Sequence, residues 1–130
     1  MKRVITFGTF DVFHVGHLRI LERAREFGDH LIVGVSTDQM NFDKKQRYPV
    51  YSQDERMKII QSLRFVDEVF LEESLALKRK YLTTYRADVL VMGDDWAGRF
   101  DELRDIAEVI YLPRTPSIST TAVIEKIRVM

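Results

Sequence analysis

Short apolar runs of strand length alternate with segments of helical periodicity along this chain, and few folds accommodate that alternation. Residues 4–7 and 31–36 are two such runs, apolar enough to be buried on both faces of a sheet. Between them Leu18, Leu21 and Ala24 recur at helical spacing, with charged residues on the opposite face. These three segments predict a β-α-β unit.

The same alternation continues toward the C-terminus. Ser52 and Glu55 have the spacing of a capping box, and Met57, Ile60 and Leu63 form the apolar stripe of the helix that follows. Further strands are predicted at residues 66–71, 89–92 and 108–112, and further helices at 75–85 and 120–128. The sequence therefore predicts an α/β fold: a single-domain, Rossmann-like, doubly wound parallel sheet of five strands with helices on both faces. The domain spans residues 1–130, and its only long irregular stretch is predicted at residues 41–51.

Composition excludes several classes of function. The 130 residues contain no cysteine, which excludes disulfide frameworks, thiolate zinc sites and cysteine nucleophiles. The 20 basic and 20 acidic side chains cancel, so no overall field attracts nucleic acid or an anionic membrane. No apolar run reaches the length of a membrane span, and the first residues lack the pattern of a signal peptide. We expect no nucleic-acid partner, no membrane insertion and a cytoplasmic location.

Sheets of this class bind ligands outside the carboxyl ends of their strands, near the switch in strand order. Four segments of the chain fall at that edge: residues 8–17, 36–47, 93–96 and 113–121. Nearly every chemically suggestive side chain lies in one of them. We therefore expect a single site assembled from these four segments.

His14 and His17 lie where the first predicted strand gives way to the first helix. Three residues apart on one helical face, both rings can reach a ligand at the helix N-terminus, where N–H groups and the helix dipole favour an anion. Gly16 would let a phosphate approach the backbone closely. The pair could equally be ordinary helix-start histidines, and zinc ligation lacks a third His or Cys at a suitable spacing. Because no G-x-G-x-x-G or P-loop pattern is present, any phosphates must be held in another way.

Three motifs together resemble the cytidylyltransferase/adenylyltransferase superfamily. Residues 8–11, Gly-Thr-Phe-Asp, followed by the H-x-G-H of residues 14–17, resemble its first signature. Residues 114–121 resemble the R-T-x-G-I-S-T-T element of glycerol-3-phosphate cytidylyltransferases, and residues 92–96, Met-Gly-Asp-Asp-Trp, match the same subfamily. The motifs occur in the family's order and cover essentially the whole chain.

Two features depart from that pattern. Pro116 and Ser117 stand where the family has a variable residue and then glycine, so the loop before Ile118 cannot use glycine torsions. Trp96 is the only tryptophan, so a relative that recognises glycerol with a further tryptophan around residues 72–77 is not matched. Acceptor identity is therefore less constrained than reaction type.

The resemblance implies direct nucleotidyl transfer. A substrate phosphate would attack the α-phosphorus of a nucleoside triphosphate and pyrophosphate would leave, with no protein nucleophile. By resemblance the donor is CTP, the acceptor is sn-glycerol 3-phosphate and the product is CDP-glycerol, made for a surface polymer. Mg²⁺ is expected with the triphosphate. A homodimer is also implied, with Arg64 and Asp67 near a possible interface.

The resemblance also implies a set of site residues. The catalytic residues would be His14 and His17 at the triphosphate, Asp11 orienting the site, and Lys44. The acceptor-binding residues would be Lys44, Arg56 and Arg64. The nucleotide-binding residues would be Thr9, Phe10, His14, His17, Gly93, Asp94, Asp95, Arg114, Thr115, Ile118, Ser119 and Thr120.

Other functions stay open at this point. An adenylyltransferase acting on a sugar phosphate would share the His14 and Ser119 elements, and a non-catalytic nucleotide-sensing module could use the same anion sites. A flavodoxin-like redox domain shares the fold class, but no loop of this chain supports it. Asp94 and Asp95 could cap a helix or hold Mg²⁺, so the metal ligands are not assigned.

Overall fold

A five-stranded parallel sheet forms the centre of the molecule, here a computed structural model that describes residues 1–114 and 119–130. The strand order is β3-β2-β1-β4-β5, with every neighbouring pair parallel. The strands are β1 (Arg3–Gly8), β2 (His30–Ser36), β3 (Glu68–Glu72), β4 (Val89–Gly93) and β5 (Glu108–Leu112). The chain winds outward from β1 in both directions, so the switch in strand order lies between β1 and β4.

Helices connect the strands on both faces of the sheet. They are α1 (Val15–Arg25), α2 (Asp38–Lys45), α3 (Gln53–Gln61), α4 (Lys78–Thr84) and α5 (Thr120–Arg128). Short 3-10 helices cover Leu75–Leu77, Asp94–Trp96 and Asp101–Asp105. No helix in the described part of the chain is long and apolar enough to span a membrane.

The core lies in two layers because alternate strand residues point to opposite faces of the sheet. Ile5 and Ile32 belong to one buried cluster, together with aromatic residues of β3 and α4. Val4 and Val33 belong to the other cluster, which packs under α1 and α3. The central strands are apolar on both faces for this reason, as parallel strands covered by helices require.

The predicted fold class is confirmed, and most element bounds agree within two residues. The last strand and the last helix begin and end where the sequence predicts, and Ser52 and Glu55 form the predicted capping box at the start of α3. One prediction is wrong: residues 41–51 are not all irregular, because α2 continues to Lys45. The Thr37 hydroxyl caps α2 by accepting from the N–H of Met40.

Candidate active site

A cleft of about 600 Å³ opens at the carboxyl ends of β1 and β4, beside the switch in strand order. The N-terminal ends of α1 and α5 both border it, so two helix starts face the same space. Ten residues predicted from the sequence line this cleft: Thr9, Phe10, Asp11, His14, His17, Gly93, Asp95, Arg114, Ser119 and Thr120. Thr115 and Ile118, also predicted, lie outside the described residues.

The two histidines cap α1 with their own side chains. His14 Nδ1 accepts a hydrogen bond from the N–H of Gly16 at 3.0 Å, and His17 Nδ1 accepts from the N–H of His14 at 3.2 Å. The rings stack with their centroids 3.8 Å apart. The N–H of Gly16 is therefore already hydrogen-bonded to the capping side chain. The imidazole rings of His14 and His17, rather than this N–H group, are the donors available to a ligand in the cleft.

This capping arrangement fixes the tautomers of both histidines. A ring nitrogen that accepts a backbone N–H carries no proton, so each neutral imidazole holds its proton on Nε2. His14 Nε2 is buried and has no hydrogen-bond partner among the described residues. It is thus an N–H donor at the cleft that lacks an acceptor, which is the arrangement an anionic ligand would complete.

Burial keeps the histidine pair neutral. Desolvation, and next the neighbouring His14 ring, lower the pKa of His17 to about 4, while Asp11 partly opposes the shift. Burial also lowers the pKa of His14 below its usual value. At neutral pH both side chains are therefore hydrogen-bond donors without a charge, and neither is poised as a proton donor.

The loop between β1 and α1 carries strained backbone. Phe10 and Val12 have φ angles of 53° and 47°, in the left-handed region that side chains rarely adopt and that is least favourable for a β-branched residue. Gly8 is required nearby, because a Cβ there would lie 2.7 Å from the Phe10 ring. Such strain clusters at functional sites and persists only where surrounding contacts hold it.

Asp11 is held by backbone donors. Its carboxylate accepts from the N–H groups of Val12, Val50 and Tyr51, at 3.1, 2.7 and 2.9 Å. Its carbonyl oxygen accepts from the Thr120 hydroxyl at 2.9 Å. Asp11 therefore joins the histidine-bearing loop to two other segments bordering the cleft.

Ser119 begins α5 as its cap, accepting from the N–H of Ala122 at 3.0 Å. With Thr120 engaged at Asp11, both hydroxyls already have partners at this second helix start. Their predicted role at the phosphates stays a prediction. The helix itself has no buried residue, so its position depends strongly on such contacts.

The loop after β4 brings only part of the predicted acidic pair into the cleft. Asp95 lines it, whereas Asp94 is exposed and does not. A Cβ at Gly93 would lie 2.7 Å from the Asp95 carboxylate, so any larger residue there would displace this carboxylate from its present position. Trp96 lines the cleft too, and Lys44 lies over its ring, with Nζ 4.4 Å from the centroid.

Arg56, predicted to bind the acceptor, is instead fully buried. Its guanidinium donates to the carbonyl oxygens of Thr9, Ser36 and Tyr51 and pairs with Asp38 at 2.7 Å. All of these partners belong to the protein. Arg56 therefore links the ends of β1 and β2 through hydrogen bonds, and it has no exposed surface that a substrate could contact.

Arg64, the other arginine predicted at the acceptor, lies near the amino end of β3, at the sheet edge opposite the cleft. It is exposed and precedes β3, whereas the cleft lies beyond the carboxyl ends of the strands. Within one copy of the chain, Arg64 does not reach the cleft. Asp67, predicted near an interface, accepts from the N–H of Leu31 within the chain.

A second cavity of about 200 Å³ adjoins the cleft and shares Thr9, Asn41 and Asp95 with it. Lys44 lines this smaller cavity, together with a buried ion pair between Glu72 and Lys78. Burial raises the pKa of Glu72 and lowers that of Lys78, while each partner opposes the shift of the other.

Sequence reasoning did not find the Glu72–Lys78 pair. Lys78 is only 4% exposed, and its Nζ lies 3.6 Å from the centroid of the Phe7 ring. A signal was present, since Glu72 directly follows the predicted strand of residues 66–71 and so had to lie at the same sheet edge as the histidines.

Thr9, Ser36 and Asn41 form a closed triangle of polar side chains, two of which, Thr9 and Asn41, line both cavities. Asn41 Nδ2 donates to the Ser36 hydroxyl and to the Thr37 carbonyl, both at 2.8 Å, which fixes the orientation of the amide. Its Oδ1 must then accept from the Thr9 hydroxyl, at 2.9 Å. The Ser36 hydroxyl in turn donates to Thr9 at 3.1 Å. This buried network holds the ends of β1 and β2 against α2.

The cleft is also lined by basic side chains for which the sequence predicts no role there. They come from α1, from α2 and the loop after it, and from α5, and are Arg23, Lys45, Arg47 and Arg128. In a chain without net charge, this local concentration of cations favours an anionic ligand at this place.

The residues present do not form a protein metal cage. Among residues 1–114 and 119–130, no group of three His, Asp or Glu side chains is placed to hold a metal ion. Both oxygens of the Asp11 carboxylate already accept backbone N–H groups. Asp95 is the other aspartate that lines the cleft.

Comparison with known proteins agrees with this arrangement. Fold and cleft together define an α/β protein of the Rossmann-like nucleotidyltransferase class. The chain belongs to the cytidylyltransferase-like family, whose model matches residues 5–126. The resemblance seen in the three sequence motifs is thereby confirmed.

Two relatives are similar over almost their whole length. The chain is 49% identical over 127 residues to a glycerol-3-phosphate cytidylyltransferase of Bacillus subtilis, covering 98% of each chain. It is 48% identical over 123 residues to the enzyme of that name from Staphylococcus aureus, covering 95% of this chain and 92% of the other. Among solved structures, a lipopolysaccharide core biosynthesis protein of Thermoplasma volcanium has the same fold, with a TM-score of 0.75 at 22% identity, covering 88% of this chain and 98% of the other.

Proposed function

We propose that this protein transfers CMP from CTP to sn-glycerol 3-phosphate, giving CDP-glycerol and pyrophosphate. The observation that carries the proposal is the neutral histidine pair, whose His14 Nε2 donor has no partner among the described residues. The cleft that it faces lies between two helix starts, which suits a ligand with several phosphates. The choice of CTP and glycerol 3-phosphate rests on the similarity to the two named relatives.

The reaction needs no covalent intermediate on the protein. An oxygen of the acceptor phosphate attacks the α-phosphorus of CTP, and a new phosphorus–oxygen bond forms as the bond between the α-phosphorus and the bridging oxygen breaks. The electron pair of the broken bond leaves with pyrophosphate. The protein's task is to align the two phosphates and to stabilise the charge that moves to the leaving group.

Neutral imidazoles suit that task. His14 and His17 present Nε2–H groups from one helical face, so they can follow negative charge from the α-phosphate to the leaving oxygens without giving up a proton. Bound phosphate would itself raise the pKa of each ring, because a nearby anion favours the charged form. The basic side chains that line the cleft, including Arg47 and Arg114, add long-range attraction for the triphosphate.

The smaller cavity is our candidate for the acceptor. It adjoins the cleft and offers Lys44 and Lys78 to a phosphate, with Glu72 and Ser36 as hydrogen-bonding partners for hydroxyl groups. Its size favours a short acceptor such as a phosphorylated triol. Arg56 and Arg64 play no direct part in this proposal, since Arg56 is buried and Arg64 precedes β3, at the sheet edge opposite the cleft.

Mg²⁺ remains part of the proposal as a companion of the triphosphate. Mg²⁺ commonly binds through one or two carboxylates plus substrate phosphates, so the absence of a three-ligand cluster among the described residues is compatible with that use. Asp95 is the side chain best placed to approach it, and the ion would neutralise phosphate charge. We further propose a homodimer, which light scattering would test, and a cytoplasmic location for the reaction.

A matrix of donors and acceptors tests the function. Purified protein would be assayed for pyrophosphate release with CTP or ATP, each combined with glycerol 3-phosphate or a sugar phosphate, with Mg²⁺ present. We expect turnover with CTP and glycerol 3-phosphate at least tenfold above every other combination. Turnover only with ATP would establish an adenylyltransferase instead, and tight CTP binding without turnover would establish a sensing module.

A further inference from the structure

We propose that Asp11 and Arg56 are positioning residues: together they clasp the backbone N–H and carbonyl groups of Tyr51 and so place Arg47 in the nucleotide cleft. This inference rests on the proposed function. It replaces the acceptor contact that the sequence predicts for Arg56, and it states how Asp11 would carry out the orienting role that the sequence predicts for it. The segment they would control is the loop of residues 46–52, between α2 and α3.

The clasp holds the backbone of one residue, Tyr51, through both its N–H and its carbonyl group. Asp11 accepts from the N–H of Tyr51 at 2.9 Å, while the Arg56 guanidinium donates to the Tyr51 carbonyl at 3.0 Å. Arg56 then donates to the Thr9 carbonyl at 2.9 Å, which closes a ring back to the histidine-bearing loop. Hydrogen bonds to charged groups are stronger than neutral ones, so this ring fixes the end of the 46–52 loop firmly.

Little else holds that loop against the body of the protein. Tyr48 is 60% exposed and Val50 is 65% exposed, and Tyr48 packs on Phe42 of the adjacent α2. The N–H of Val50 supplies the second bond to Asp11, at 2.7 Å. Polar contacts with Asp11 and Arg56, rather than apolar burial, therefore determine where the loop lies.

Arg47 is the positively charged residue that this loop places in the cleft. Its side chain lines the cleft that also holds His14 and His17, although its own backbone belongs to the exposed loop. An arginine at that position can contact triphosphate oxygens only while the loop stays in place. Loss of the clasp should therefore weaken the use of CTP because Arg47 no longer contacts the triphosphate.

A double-mutant cycle separates this indirect role from direct contact. We would measure kcat/KM for CTP in Asp11→Asn, Arg47→Ala and the double variant, with Asp54→Asn as a control that removes an exposed carboxylate from the first turn of α3. We expect Asp11→Asn and Arg47→Ala each to lower kcat/KM about tenfold or more, and Asp11→Asn to cost less than about threefold once Arg47 is absent. If Asp11→Asn lowers kcat/KM by the same factor with and without Arg47, Asp11 acts on the substrate itself and the proposal is overturned.

Limited proteolysis provides a readout that needs no turnover. Trypsin can cleave after Lys44, Lys45 and Arg47, within or beside the clasped loop. In Asp11→Asn and in Arg56→Lys, which keeps the buried charge but cannot bridge the same carbonyls, we expect cleavage there at least about fivefold faster than in the wild type, at temperatures well below unfolding. Unchanged cleavage in both variants would overturn the clasp. Faster cleavage in a protein that makes no CDP-glycerol would instead leave the clasp standing and refute the proposed function.

Discussion

Acidification should destabilise the folded protein through His17. This side chain accepts the N–H of His14 with an unprotonated Nδ1, stacks on a second imidazole and is largely desolvated. Protonation would break the cap contact and place a cation beside His14. The folded protein therefore resists protonation at this residue, whereas the unfolded chain does not.

The magnitude follows from the two pKa values. His17 titrates near 6.5 in an unfolded chain and at about 4 in the folded protein, so the unfolded state binds more protons between these values. Stability is therefore retained above pH 6.5 and lost as the pH falls toward 4. At about 1.4 kcal/mol per pKa unit, the loss from this residue alone is about 2 kcal/mol at pH 5 and about 3 kcal/mol at pH 4.

His17→Gln is the matched control. A glutamine at the third helical position can still accept the N–H of the capping residue, but it does not titrate. Urea unfolding would be followed by the fluorescence of Trp96, the only tryptophan, in both proteins at pH 7 and pH 5. Other titrating groups are common to the two proteins, so the difference in their pH dependence isolates residue 17. The reasoning is refuted if wild type and His17→Gln lose the same stability between pH 7 and pH 5.

Three further predictions concern groups around the two cavities. Lys78→Met leaves Glu72 buried without its partner and should cost about 3–5 kcal/mol in urea unfolding, most of it recovered by adding Glu72→Leu; no recovery would contradict the pairing. Asn41→Leu removes the partner of the Thr9 and Ser36 hydroxyls and should cost at least about 2 kcal/mol, whereas a neutral effect would contradict the triangle. Gly93→Ala is compatible with the φ of −67° but displaces Asp95, so the KM for CTP should rise while the urea midpoint stays unchanged; the reverse pattern would contradict a site role.

Regular elements were predictable from the sequence where local pattern and tertiary environment agree. The strand Glu108–Leu112 and the helix Thr120–Arg128 have clear apolar periodicity, and both occur as predicted. Helix α2 was missed because Asp38–Lys45 is mostly polar, with no apolar stripe. Its formation depends on the Thr37 cap and on Asn41, whose side-chain partners Thr9 and Ser36 lie at the carboxyl ends of β1 and β2.

The site was predictable to the extent that strand ends dictate it. The histidines, Asp11 and the start of α5 all meet at the carboxyl edge, as the topology requires. The burial of Arg56 was not predictable, because a charged residue near the start of a helix is usually exposed, and only the folded chain shows three carbonyls converging on it. The burial of Lys78 was not predicted for the same reason: a lysine is usually exposed, and only the folded chain shows its buried partner Glu72 at the end of β3.

The central claim is that the neutral histidine pair stabilises the reacting phosphates rather than merely capping a helix. His14→Asn tests it directly, because asparagine is a good helix cap and can accept the N–H of Gly16, yet it is too short to replace the Nε2 donor. The decisive measurement is kcat with CTP and glycerol 3-phosphate, beside the CTP dissociation constant from calorimetry. We predict that kcat falls about 100- to 1,000-fold while CTP affinity changes less than about tenfold. A kcat within threefold of the wild-type value, or an equal loss in kcat and in affinity, would contradict the account.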